Sequence, residues 1–158
     1  MEFTFHTKNY FIFKLIVIIF SMISPLIMIA YNNEIPSLSS YWKTPLQPLF
    51  LISNLLTSLI LITIPKWKLS GGLLLILTCF SVEYYGSFHD LIATLFFISN
   101  LYSLNSIKKY RIFVFIYLTS IIWYPSLLWF EIHAILVLCI YHLFVLLSYN
   151  KIQKKRNK

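Results

Sequence analysis

The stretch YFIFKLIVIIFSMISPLIMIA, residues 10–30, holds a single charge, Lys14. A bilayer core takes about 20 apolar residues of helix to cross, and this run is that long. It is too long for the apolar region of a signal peptide, and no small-residue cleavage site of the A-x-A kind follows it. Pro25 falls inside it, a kink that neighbouring helices make tolerable. Lys14 sits near one end, where its stem can carry the ammonium to the interface.

Outward from this run, further apolar stretches follow at residues 48–64, 69–85, 89–104, 112–128 and 130–149. With 59% hydrophobic and 11% charged residues over 158 positions, the chain does not have the composition of a soluble domain, in which about a quarter of residues are charged. The expected fold is therefore all-α: one integral membrane domain over residues 1–158, a polytopic bundle of six transmembrane helices. Segments three and four are short for a full crossing, so tilt or local thinning is expected there.

Charge placement sets the orientation. Of the 13 Lys and Arg residues, all but Lys43 fall at the N-terminus, between segments two and three, between four and five, or in the tail. Of the five acids, Glu34, Glu83, Asp90 and Glu131 fall on the opposite side. This alternation predicts both termini in the cytoplasm and a multi-pass protein of the plasma (inner) membrane. Lys66-Trp67-Lys68 is read as a tight cytoplasmic hairpin, and Gly71-Gly72 as a place where another backbone approaches closely. The net charge of +8 lies in short loops beside apolar segments, where bases meet anionic headgroups at about 1 kcal/mol each. No nucleic-acid module accompanies it, so no nucleic-acid partner is expected. Cys79 and Cys139 form no CxxC pair and read as packing residues.

The polar groups within this apolar background are the candidates for function. Five ionisable residues fall at the outer ends of segments three, four and six: Glu83, His89, Asp90, Glu131 and His133. Carboxylates and imidazoles suit a borderline divalent ion such as zinc, with Glu83, His89, Asp90 and His133 as ligands and Glu131 as the base on a bound water. Against this, Glu131 and His133 point about 200° apart on an ideal helix. Asp90 and Glu131 also serve at helix starts, where negative charge is favoured. Haem ligation by His89 and His133 is disfavoured because both lie near the interface.

Deeper in the bilayer, His142 stands 11 positions after Glu131 on nearly the same face, roughly 16 Å further in. Ionisable groups at that depth face the bundle interior or a cavity. His89 and Asn100 share this spacing, and Gln47, Asn54 and Ser58 make a stripe on segment two. Such stripes line a polar cavity or bond helices together.

Some strings resemble a known group. Ser37-Leu38-Ser39-Ser40-Tyr41-Trp42-Lys43-Thr44-Pro45 ahead of Phe50 is similar to the first external loop of certain prokaryotic six-helix membrane proteins of unknown function. His89, Ala93, Phe96 and Phe97 resemble that group's pattern opening helix four. Glu131 after Trp129-Phe130 resembles its aromatic-Glu start to helix six. The likeness spans residues 37–147, with Lys43 and Gln47 standing where the group often carries an Arg-Asp pair. The group is distantly similar to the Frag/DRAM/Sfk-type membrane proteins, which are linked to lipid handling or membrane trafficking. The resemblance implies a six-helix bundle with His89 and Glu131 as signature polar residues.

Three functions follow as expectations. The first is a bundle that binds membrane lipid, another membrane protein or a second copy, with Tyr41 and Trp42 in the external loop making contact and Asn54, Asn100 and His142 inside. The second is a metal-dependent hydrolase acting on a lipid headgroup. The third is a small transporter or proton relay using Glu131 and His142. No cofactor other than the hydrolase's divalent ion is expected.

Overall fold

A computed structural model of the chain describes residues 8–32, 36–123 and 126–156. Asn33 and Glu34 of the outer loop, Pro125 of the fifth segment and Lys158 of the tail lie outside the described residues. The chain is all-helical, with no strand among the described residues. In order come α1 (Lys8–Asn32), a 3-10 helix (Leu38–Lys43), α2 (Gln47–Thr63) and a 3-10 turn (Pro65–Trp67). After these come α3 (Lys68–Cys79), α4 (Val82–Leu104), a second 3-10 turn (Lys108–Tyr110) and α5 (Ile112–Leu118). A 3-10 extension (Thr119–Trp123) and α6 (Leu127–Arg156) complete the chain.

Among the described residues two helices are long and apolar enough to cross a membrane, over Asn9–Tyr31 and Leu127–Asn150. The other boundaries depart from the sequence reading in two places. Segment three stops at Cys79, because Phe80 and Ser81 take extended backbone, and residues 82–88 open α4 instead. Gly86 then breaks α4 with φ 13° and ψ −101°. Segment five is α-helical for only 7 residues. At its end the Thr119 Oγ1 donates to the Ile116 carbonyl and the Ser120 Oγ to the Tyr117 carbonyl, each at 2.6 Å. Such back-bonding competes with the helical ladder, and here it accompanies the tightening to 3-10. Residues 127 and 128 belong to α6.

The stop before Pro65 is as read. Ile64 is extended at φ −99° and ψ 116°, as a residue before proline must be to avoid its ring. Trp67 departs from expectation: it is 3% exposed and turns into the bundle from what reads as a surface hairpin.

The packing closes a ring in chain order. α1 packs on α2 and α6, α3 on α2 and α4, and α5 on α4 and α6. α2 and α3 approach most closely at Gly71, where a Cβ would lie 2.7 Å from the Ile62 backbone nitrogen and 2.8 Å from the Ser58 carbonyl oxygen. Gly72, paired with it in the sequence reading, has open space instead. The main apolar cluster, including Trp67, Leu74, Phe96, Phe113 and Tyr141, lies toward one end of the ring. A second cluster with Met28, Leu38, Tyr41, Phe50 and Ile132 closes the other.

Besides this apolar core, the outer faces are apolar as well. Large apolar side chains stand exposed on the outer faces: Ile16, Ile19 and Ile23 of α1, Leu91, Leu95 and Ile98 of α4, Ile112 and Phe115 of α5, Phe144 and Leu147 of α6. Hydroxyls and amides are buried among the core residues, including Ser24, Ser53, Ser58, Ser70, Thr78 and Asn100. Exposed apolar side chains in such numbers are characteristic of faces that meet lipid or protein.

Candidate interior site

Between the helices lies a cavity of about 130 Å³. Its apolar wall includes Met28, Phe50, Leu61, Leu74, Phe96, Phe97 and Leu138, and its polar wall includes Ser21, Ser24, Asn54, His89, Glu131 and His142. Every helix except α5 contributes.

Glu131 sits one turn into α6. Its carboxylate Oε2 accepts the backbone N–H of Leu38 at 2.7 Å, so it caps the 3-10 helix Leu38–Lys43 at the end where backbone donors are unpaired. The hydroxyls of Ser39 and Ser40 both lie 2.9 Å from Ser37 Oγ. The carboxyl group expected at the start of this helix therefore bonds to a neighbouring 3-10 helix instead.

His89 is 7% exposed and its Nδ1 lies 2.7 Å from the Phe80 carbonyl oxygen. A carbonyl only accepts, so Nδ1 carries the hydrogen. His89 thus ties α4 back to the break after α3, and the residue borders the cavity. Asp90, one step of 100° further round the helix, is exposed. His133 reaches the far side of α6, with its Nε2 3.2 Å from Thr119 Oγ1. Glu83 is paired with Lys43 at 2.8 Å across the outer rim.

The five outer ionisable residues therefore have separate surroundings. Among the described residues no group of three or more His, Cys, Asp or Glu side chains is placed to hold a metal ion. The divergence of Glu131 and His133 was legible from helical geometry, and that of His89 and Asp90 follows from their adjacency. Lys43, the one base on the acidic side, is the partner of Glu83.

The deeper candidates divide. His142 is 8% exposed and lines the cavity against Trp67, with ring centroids 4.5 Å apart. Its Nε2 is buried without a hydrogen-bond partner. Lys14, equally buried, lies in electrostatic range of the same ring. Asn54 lines the cavity, but Ser58 of the same stripe donates to its own helix at the Leu55 carbonyl. Asn100 donates from Nδ2 to the Tyr117 hydroxyl at 3.3 Å and bonds α4 to α5.

In the 3-10 helix Leu38–Lys43, Tyr41 is 0% exposed and packs in the second apolar cluster. That corrects its expected role as a surface contact: a 3-10 helix with three residues per turn sends Leu38 and Tyr41 to the same side, which is the buried one. Trp42 is half-buried beside Phe50.

Sequence reasoning missed the hydroxyl ladder between α1 and α2. Ser24 and Ser53 oxygens lie 2.7 Å apart and those of Ser21 and Thr57 2.6 Å apart. A like pair, Ser70 and Ser99 at 2.8 Å, joins α3 to α4. Spacings of three and four on each helix were the available signal. No family model matches the chain, and no curated protein or solved structure matches it.

Proposed function

We propose that this chain is a multi-pass membrane protein of the plasma membrane, with both termini cytoplasmic, whose ring of helices binds a lipid or lipid-like amphiphile in its central cavity. The observation that carries the reading is the cavity itself, a mostly apolar hollow with a few convergent polar groups. That is the usual make-up of a small-molecule site. Its surroundings agree: apolar side chains face outward where lipid would be, and the resemblance to the Frag/DRAM/Sfk-type proteins points to lipid handling. A hollow of about 130 Å³ holds a group near the size of benzene. A lipid therefore places a short length of one chain there, with an ester or hydroxyl oxygen near Asn54 and His89.

The test is extraction and mass spectrometry of lipid that co-purifies with the protein, against the lipid of the source membrane. One class enriched over the bulk, and lost in Ala93→Phe, supports the reading, because Ala93 lines the cavity and a phenyl ring fills it. Bulk composition unchanged by that substitution overturns it.

A second reading is a proton relay, favoured by one observation: Glu131 and His142 line the same hollow. Proteoliposomes that pass protons, and cease to on Glu131→Gln, would favour it over lipid binding. The hydrolase expectation has no comparable support, since its proposed ligands have separate surroundings.

A further inference from the structure

A second and larger pocket, about 580 Å³, lies at the outer rim, bounded by Ser39, Ser40, Trp42, Lys43, Gln47, Cys79, Ser81, Glu83, Tyr84 and Tyr85. Ser39 also borders the interior cavity, so the 3-10 helix Leu38–Lys43 is the wall between the two. This volume falls within the ordinary range of ligand sites, roughly 300–1,000 Å³.

Three features of the wall define what it would take. Trp42 Nε1 and Ser81 Oγ are buried without a hydrogen-bond partner. An indole N–H can only donate, so its natural complement is an oxygen acceptor. Lys43 and Glu83 set opposite charges side by side at 2.8 Å, with side chains 59% and 41% exposed. An ion pair this exposed contributes little to stability, so a ligand with both charges can divide it at small cost. Finally, the rings of Trp42, Tyr84 and Tyr85 stand on the same pocket, and aromatic faces attract cations.

We propose that this outer pocket binds a zwitterionic phospho-amine group, the headgroup of a membrane lipid, with phosphate oxygens toward Lys43 and Trp42 and the ammonium toward Glu83 and the tyrosine rings. The inference rests on the membrane reading but not on the occupant of the interior cavity. It also accounts for Lys43, the base that breaks the charge alternation.

The test uses the purified chain in a detergent micelle and three soluble probes, with binding followed by isothermal titration calorimetry. Dihexanoyl phosphatidylethanolamine carries both charges and chains, dihexanoyl phosphatidylglycerol lacks the ammonium, and glycerophosphoethanolamine lacks the chains. The ethanolamine lipid is expected to bind about tenfold more tightly than the glycerol lipid, and Lys43→Gln or Glu83→Gln to weaken it about five- to tenfold. Trp42→Phe keeps a ring, removes the donor and is expected to weaken binding about threefold. Equal affinity for the two short-chain lipids overturns the proposal, as does indifference to Glu83→Gln in a protein of unchanged helicity. Glycerophosphoethanolamine binding as tightly as the chain-bearing lipid would uphold the phospho-amine site and overturn the lipid as its source. Should a charge variant fail to fold, Trp42→Phe and the probe comparison decide alone. Ala93→Phe leaves this pocket intact and Glu83→Gln leaves the cavity intact, so the two readings fail separately.

Discussion

The carboxylate of Glu131 accepts the backbone N–H of Leu38, 93 positions earlier, at 2.7 Å. One bond thereby ties the 3-10 helix Leu38–Lys43, the partition between the interior cavity and the second pocket, to the start of α6. The same side chain borders the hollow it closes.

Removing the acceptor should therefore loosen the partition. Leaving a buried donor unsatisfied costs about 1–3 kcal/mol, and Glu131→Ala is expected to lose stability in that range. Glu131→Gln keeps an amide oxygen within reach of Leu38 and should lose less. Chemical unfolding in detergent followed by circular dichroism measures both. An alanine variant as stable as the parent would show that Leu38 needs no such partner.

The two adjacent glycines give an internal control. A methyl at position 71 meets the Ile62 nitrogen at 2.7 Å, and one at position 72 meets nothing within 4 Å. The obstacle at 71 is backbone, which cannot swing aside, so Gly71→Ala forces α2 and α3 apart. Overpacking of this kind costs about 1–3 kcal/mol, while Gly72→Ala should be neutral or slightly stabilising through helix propensity. Thermal unfolding of both variants side by side checks the difference. Equal melting temperatures would remove the close crossing.

The hydroxyl pair Ser24 and Ser53 spans α1 and α2 at 2.7 Å. A double-mutant cycle with Ser24→Ala and Ser53→Ala should return a coupling of about 0.6 kcal/mol, the average for such contacts between helices in membranes. Additive single substitutions would mean that each hydroxyl is content with its own helix.

Much of this arrangement was legible in the chain. Apolar runs located the helices, Pro65 marked the end of α2, and helical geometry separated Glu131 from His133. Other features depend on tertiary context. No local signal places Trp67 inside rather than on a hairpin surface; it enters because the ring of helices offers it His142 and Tyr141 as neighbours. Tyr41 looked like an interfacial aromatic, and only the 3-10 periodicity of its segment turns it inward. The break at Phe80 and Ser81 carries neither proline nor glycine, and it moved a whole turn of residues from α3 to α4. The cavity was legible in part: the 11-residue relation between Glu131 and His142 anticipated a shared face, while the Ser21 and Ser24 wall went unread because isolated serines in an apolar helix look incidental.

The two native cysteines supply a test of orientation that needs no substitution. Cys79 is exposed at the end of α3 and borders the outer pocket, whereas Cys139 is buried on α6 beside the interior cavity. If the outer pocket faces away from the cytoplasm, a charged, membrane-impermeant thiol reagent applied to intact cells reaches Cys79 at once. Cys139 is shielded by the bundle and should stay unmodified until the protein is denatured. Peptide mass spectrometry after labelling reads each site separately. Labelling of Cys79 only after the cells are permeabilised would reverse the orientation, placing Lys43 and Glu83 on the cytoplasmic side and the basic loops outside. Rapid labelling of Cys139 in the folded protein would instead mean that the hollow is open to water, and that would favour the relay between Glu131 and His142 over an amphiphile held in a dry site.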